Sequence, residues 1–211
     1  MKYSAVIVAA GMGSRMGLGY NKVYHKIGDK TILEMTTDVF RNDPDCGQIV
    51  IVTDASDYLE KITTRMPGMI TLAKGGDTRQ QSVTNGLQAV LYDVVMIHDG
   101  ARPYLHQESL DALKKAMETE QASCLMVPCK DTIKVLEGDY ISYTPERSTL
   151  AAAQTPQVFR TDVILKCMET ARQEGFTGTD DASVAEYCGI PVKAVTGTYD
   201  NIKITTPEDL K

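Results

Sequence analysis

The residues able to do chemistry gather first at Ala9-Ala10-Gly11-Met12-Gly13-Ser14-Arg15-Met16, with Lys22 a turn or so later on what reads as an exposed loop. A loop of small residues spaced by glycine lets backbone N–H groups approach a phosphate, because no Cβ stands in the way. Glycines alone describe any tight strand-exit turn; the fixed positive charge of Arg15 and Lys22 turns this one into an anion site. A second cation-bearing glycine loop follows at Lys74-Gly75-Gly76-Asp77-Thr78-Arg79. His98-Asp99-Gly100-Ala101-Arg102-Pro103 then supplies a carboxylate. Asp99 has two readings: bracing its own loop through Arg102, or holding Mg²⁺, a hard cation that takes one or two carboxylates and otherwise water and phosphate oxygens. The Walker pattern is absent. The dinucleotide fingerprint fails at its third glycine, where Met16 stands and Gly17 comes one residue late. A nucleoside triphosphate, with more charge to offset than a dinucleotide, suits Arg15 and Lys22 better.

These loops need strands to leave from. Tyr3 to Val8 is a short apolar run of the buried-strand type. After it the chain alternates strand and helix signals, the pattern of a mostly parallel α/β sheet with crossover helices. Helical stripes are expected at Ile32 to Phe40, Asp57 to Arg65, Gln80 to Leu91, Gln107 to Glu120, Thr161 to Glu174 and Asp181 to Cys188. Strands are expected at Gln48 to Thr53, Met69 to Ala73, Val94 to Ile97, Ser123 to Val127, Val192 to Thr196 and Asn201 to Ile204. From Cys129 to about Gln154 the alternation breaks, and Thr132 to Leu136 with Tyr140 to Tyr143 reads as a hairpin inserted in a single domain spanning the chain. In open α/β sheets ligands bind outside the carboxyl ends of strands, so Arg15, Lys22, Gly76, Arg79 and Asp99 converge on one cleft. Thr206-Pro207-Glu208-Asp209 has the cap, proline and acidic turn of a helix start, so a further C-terminal segment beyond Lys211 is expected.

Composition narrows the class. A chain of 211 residues, 43% hydrophobic and 24% charged, suits one globular α/β domain. Its net charge of −6 argues against nucleic-acid or membrane-surface partners. No membrane-length apolar run or signal peptide is evident, so a cytoplasmic location is expected. The five cysteines are widely spaced and read as free thiols. His98 reads as structural, the methionines as packing, and Lys114-Lys115 as a solvated helix face. Thr179-Asp180-Asp181 reads as a helix cap that also serves as an anion site.

Taken together, Ala9-Ala10-Gly-x-Gly-x-Arg15-Met16, Lys22, Gly75-Gly76-x-x-Arg79-x-x-Ser82-Val83, His98-Asp99-x-Ala101-Arg102-Pro103, Asp131-Thr132-Ile133-Lys134, Arg147, Gln154-Thr155-Pro156-Gln157, Thr179-Asp180-Asp181 and Asn201-x-Lys203-Ile204-Thr205 resemble the 2-C-methyl-D-erythritol 4-phosphate cytidylyltransferases of the non-mevalonate isoprenoid pathway. The resemblance implies a Rossmann-like nucleotidyltransferase fold, a protruding β-arm, a homodimer, CTP as donor and Mg²⁺. It implies that Ala9, Ala10, Gly11, Gly13, Arg15 and Lys22 hold the triphosphate, and that Gly76, Asp77, Arg79 and Ser82 hold the pyrimidine. It implies that Asp99 serves the metal and the acceptor hydroxyls, that Lys203 reaches the reacting phosphates, and that Arg147, Thr155 and Thr179 take the acceptor phosphate. Ribitol 5-phosphate cytidylyltransferases share the donor motifs, but Ala101-Arg102-Pro103-Tyr104 is closer to the erythritol enzymes. A nicotinamide-dependent oxidoreductase is disfavoured by Met16, and a non-enzymatic nucleotide-binding module would have no need of Lys203 or the Thr179 site.

Overall fold

Along β1 (Tyr3–Val8), Tyr3, Ala5 and Ile7 face one core while Val6 faces another, the period-two alternation of a strand. A strand buried on both faces needs packed layers on both sides, which parallel sheets obtain from crossover helices. The computed structural model describes residues 1–11, 19–62 and 68–210. In chain order β1 is followed by the short pair β2 (Lys26–Ile27) and β3 (Lys30–Thr31), α1 (Ile32–Asn42), β4 (Cys46–Val52), α2 (Ala55–Lys61) and β5 (Ile70–Ala73). Then come α3 (Arg79–Leu87), β6 (Val94–Asp99), α4 (Gln107–Ala116), β7 (Ala122–Pro128), and the pair β8 (Val135–Glu137) and β9 (Tyr140–Tyr143). The chain continues through β10 (Ala151–Arg160), α5 (Thr161–Glu174), α6 (Asp181–Tyr187) and β11 (Lys193–Thr196).

Seven strands form one sheet in the order β11-β7-β10-β6-β1-β4-β5. All its pairings are parallel except those of β10, which runs antiparallel to both β6 and β7. Leu33 and Phe40 of α1 and Leu110 and Leu113 of α4 pack with Ile7, Ile49, Ile51 and Met96. On the other face Val83 and Leu87 of α3, Ile164 and Met168 of α5 and Val184 of α6 pack with Val6, Val50, Val95 and Ile97. The α/β architecture with helices on both faces is therefore as expected. Local signals account for several boundaries. Thr31 and Glu34 form a reciprocal capping box at the start of α1, and α5 stops at Gly175, whose φ of 68° is left-handed.

Two expectations are corrected. Residues Asn201–Ile204 form no strand; the Ile204 N–H donates to the Ala101 carbonyl at 2.9 Å and Asn201 Nδ2 donates to the Thr155 carbonyl at 2.8 Å. This irregular segment is pinned by single hydrogen bonds to the loop after β6 and to Thr155 of β10 rather than by a strand ladder. No strand is expected from the sequence between the hairpin and the helix at Thr161, yet β10 runs from Ala151 to Arg160 and separates β6 from β7. The hairpin β8–β9 forms its own two-stranded sheet with Leu136, Tyr140, Ile141 and Tyr143 exposed.

Candidate active site

From β1 the chain builds β4 and β5 to one side and then places β6 on the other. The crevice at such a reversal is where α/β sheets bind ligands, and here it is a cleft of about 430 Å³. Ala9, Ala10 and Gly11 enter it from the end of β1, Gly76 and Asp77 from the loop after β5, Arg79 from the start of α3, and Asp99 from the end of β6, with Ser82, Lys22 and Lys203 completing the wall. Gly13 and Arg15 lie outside the described residues. The loops after β1 and β5 touch: a Cβ on Gly75 would come within 2.4 Å of Ala10 Cβ, so glycine is required there. Ser82 braces the second loop, its hydroxyl accepting from the Gly76 N–H at 3.0 Å and donating to the Thr78 carbonyl at 2.9 Å.

Lys22 is not on an exposed loop. It opens a single 3₁₀ turn and is 8% exposed. The turn is tied to β1 by Asn21, whose Nδ2 donates to the Ala9 carbonyl at 2.5 Å. Burial of the stem aims the ammonium into the cleft rather than into bulk water.

Asp99 is braced by Arg102, as one reading had it, and by two further cations. Lys203 Nζ lies 2.8 Å from its Oδ2, Arg79 Nε 3.4 Å from Oδ1 and Arg102 Nε 3.8 Å from Oδ2. Burial works against its charge, but Arg79, Lys203 and Arg102 outweigh burial and hold the carboxyl well below the usual carboxylate range. Arg79 is held by two carboxylates, since its guanidinium also forks onto Asp181 at 3.0 and 2.9 Å. Burial opposes the Arg79 charge and the two carboxylates more than restore it. This Arg79–Asp181 pair was not legible in the sequence: Thr179-Asp180-Asp181 signals a cap, and Asp180 does cap α6 by accepting from the Ser183 N–H. The neighbouring carboxylate reaches an arginine that lies about a hundred positions upstream.

His98 is buried, and its surroundings settle its tautomer. Nε2 faces the Arg102 carbonyl at 3.1 Å, and a carbonyl can only accept, so Nε2 carries the proton. Nδ1 then accepts from the Thr155 hydroxyl at 3.0 Å, while that hydroxyl accepts from the Asp99 N–H at 3.0 Å. Burial pushes the imidazole down to about 4, so it is neutral at ordinary pH and structural, as read. Thr155 is thus placed beneath Asp99, buried, rather than at the cleft surface. Thr179 is exposed ahead of α6. Arg147 lies elsewhere, in an open hollow of about 530 Å³ that also includes Leu150 and Ala151, with Nη2 donating to Thr132 Oγ1 at 2.8 Å.

Among the described residues no group of three or more His, Cys, Asp or Glu is arranged to hold a metal by itself. The donor set of the cleft is a buried carboxylate, Asp99, with Asp77 exposed at the rim. That fits Mg²⁺ brought in on a polyphosphate, which completes its shell with phosphate oxygens and water. Among the same residues no helix is long and apolar enough to cross a membrane.

A glycine-looped switch-point cleft walled by lysine and arginine around one ionised carboxylate defines the chain as a nucleotidyltransferase. The family profile described as 2-C-methyl-D-erythritol 4-phosphate cytidylyltransferase matches residues 3–211. The enzyme of that name from Geobacillus kaustophilus is 43% identical over 215 residues, covering 100% of this chain and 94% of the relative. That from Caldanaerobacter subterraneus is 44% identical over 220 residues, covering 100% and 96%. The crystal structure of 4-diphosphocytidyl-2C-methyl-D-erythritol synthase from Anaerococcus prevotii superposes with a TM-score of 0.88 at 32% identity, covering 99% of this chain and 95% of that one. The chain belongs to the 2-C-methyl-D-erythritol 4-phosphate cytidylyltransferase family.

Proposed function

We infer that this cleft transfers the cytidylyl group of CTP to the phosphate of 2-C-methyl-D-erythritol 4-phosphate, giving 4-diphosphocytidyl-2-C-methyl-D-erythritol and pyrophosphate. The observation that carries the reading is the meeting of Lys22, Arg79, Asp99 and Lys203 in one cleft, in a chain whose full-length relatives bear that name. A phosphate monoester has its second pKa near 6, so the acceptor is already largely a dianion and no general base is required. Its oxygen attacks the α-phosphorus, a new P–O bond forms, and the bond to the β-phosphate oxygen breaks to release pyrophosphate. The obstacle is to bring two anions together and stabilise the charge that builds on the non-bridging oxygens.

Lys22 and Lys203, with Arg15, meet that need, and the N–H groups of the Ala9–Gly13 loop hold the triphosphate. Gly76, Asp77, Arg79 and Ser82 receive the pyrimidine. Asp99 keeps Lys203 in place and offers its carboxylate to the acceptor hydroxyls and to Mg²⁺, which when bound offsets phosphate charge. Arg147, Thr155 and Thr179 form the acceptor-phosphate side, Thr155 acting through Asp99.

Arg147 reaches this site from a second subunit in our reading, with the 129–154 arm as the link of a homodimer in the cytoplasm. The separation of its hollow from the cleft and the exposed apolar residues of the hairpin support that assignment. Two measurements test the function. Pyrophosphate release from CTP should favour 2-C-methyl-D-erythritol 4-phosphate over ribitol 5-phosphate by at least about tenfold; the reverse preference overturns the acceptor assignment. Co-refolding inactive Lys22→Ala with inactive Arg147→Ala should restore activity toward about a quarter of wild type, because two-fold pairing leaves one intact site in each mixed dimer. No recovery in verified mixed dimers removes Arg147 from the neighbour's site.

A further inference from the structure

Residues 175–180 join α5 to α6 and carry Thr179. Two consecutive residues at the start of α3 bond to positions on either side of that threonine. Gln80 donates from Nε2 to the Phe176 carbonyl at 3.2 Å and accepts at Oε1 from the Gly178 N–H at 2.9 Å. Arg79 forks onto Asp181. The loop is therefore gripped at 176 and 178, and α6 at its first residue, 181, so that both sides of Thr179 are held. The geometry also separates the two grips. Arg79 lines the cleft, whereas Gln80 does not and is bonded to the backbone of the acceptor loop.

We propose that Gln80 is a positioning residue for the acceptor phosphate, holding the 175–180 loop so that Thr179 meets that phosphate; this rests on the reading of Thr179 as part of the acceptor site. A primary amide is suited to the task, since it presents a donor and an acceptor side by side and so fixes one loop carbonyl and one loop N–H together. A glutamate at this position keeps the acceptor for Gly178 but sets a carboxylate oxygen against the Phe176 carbonyl.

The test compares Gln80→Leu, Gln80→Glu, Thr179→Ala and the double variant Gln80→Leu/Thr179→Ala, with steady-state kinetics varied in each substrate. Gln80→Leu should raise KM for 2-C-methyl-D-erythritol 4-phosphate about tenfold while KM for CTP changes less than about twofold, with Gln80→Glu between it and wild type. The double variant should be hardly worse than Thr179→Ala alone, because both changes act at one loop. Hydrogen exchange at the Gly178 amide should accelerate in Gln80→Leu, a readout that does not depend on turnover. An unchanged acceptor KM in folded Gln80→Leu or Gln80→Glu, with Thr179→Ala impaired, overturns the proposal and leaves the acceptor site standing. A normal acceptor KM in Thr179→Ala overturns both.

Discussion

At the carboxyl ends of the strands Asp99 is faced by three cations, Lys203, Arg79 and Arg102. Lys114, near the amino ends, is faced by three carboxylates, Asp43, Asp45 and Asp111, each 3.0 Å away. The two clusters are near inverses, and the difference lies in what they leave uncompensated. Around Asp99 the surplus is positive and faces a cleft wide enough for a polyanion. Around Lys114 the surplus is negative, and it is divided among Asp43, fully buried with a hydrogen bond from the Tyr3 hydroxyl, Asp45, which also meets the N-terminal ammonium, and Asp111, which lies in water. In the proposed function the positive surplus around Asp99 is what an anionic ligand completes, whereas the Lys114 cluster offers such a ligand none. Burial opposes the Lys114 ammonium, but the hydrogen bonds it donates to Asp45, Asp111 and Asp43 outweigh burial and hold the group above its ordinary range.

Breaking each cluster should therefore fail in a different measurement. Asp99→Asn should have the largest effect on turnover, lowering kcat by about a thousandfold, because Lys203 loses the partner that holds it in the cleft. Activity within about tenfold of wild type would remove Asp99 from the chemistry. Lys22→Met, which keeps an apolar stem in the buried turn, should lower kcat by about a hundredfold with the unfolding midpoint in urea hardly moved. A large stability loss with normal turnover would move Lys22 into the structural class.

Lys114→Met should do the opposite. It strands the buried Asp43 carboxylate and should cost about 3 kcal/mol of stability in urea unfolding, with kcat and both KM values unchanged. Loss of turnover in a folded Lys114→Met protein would break the contrast drawn between the two ends of the sheet. The smallest effect concerns pH. Hydrogen bonds from Lys114 hold the Asp45 and Asp111 carboxyls below their ordinary range. Carboxyls shifted down contribute stability above their unfolded pKa and lose it as pH falls through the folded one. The stability gap between wild type and Lys114→Met should thus be full at neutral pH and narrow below about pH 4. A gap that widens on acidification would mean that Lys114 does not act through those carboxylates.

Lys114 also shows where sequence reasoning stops. On its own helix it sits beside Leu113 and Lys115, and local pattern places such a pair in solvent. Its three carboxylates come from its own turn and from the segment ahead of β4, and only packing α4 onto the sheet brings them together. Lys22 was misread for the same reason, since the turn that buries it depends on Asn21 reaching back to Ala9.

What the sequence determined by itself is what short-range chemistry encodes. The period of apolar residues set the strands and helices, and α5 runs from Thr161 to Glu174 as read, stopped by Gly175. Small residues and cations at strand ends marked the loops that line the cleft, and the hairpin announced itself by breaking the alternation. The tertiary structure decided the rest. It inserted β10 antiparallel between β6 and β7, made residues 201–204 a pinned irregular segment, and placed Thr155 under Asp99. It also joined Gln80 to the loop before α6 and Arg79 to the first residue of α6. Periodicity reports which face of an element is buried, but it carries no information on which distant face lies opposite. A hydrogen bond or ion pair spanning about a hundred residues therefore exists only once the layers have packed.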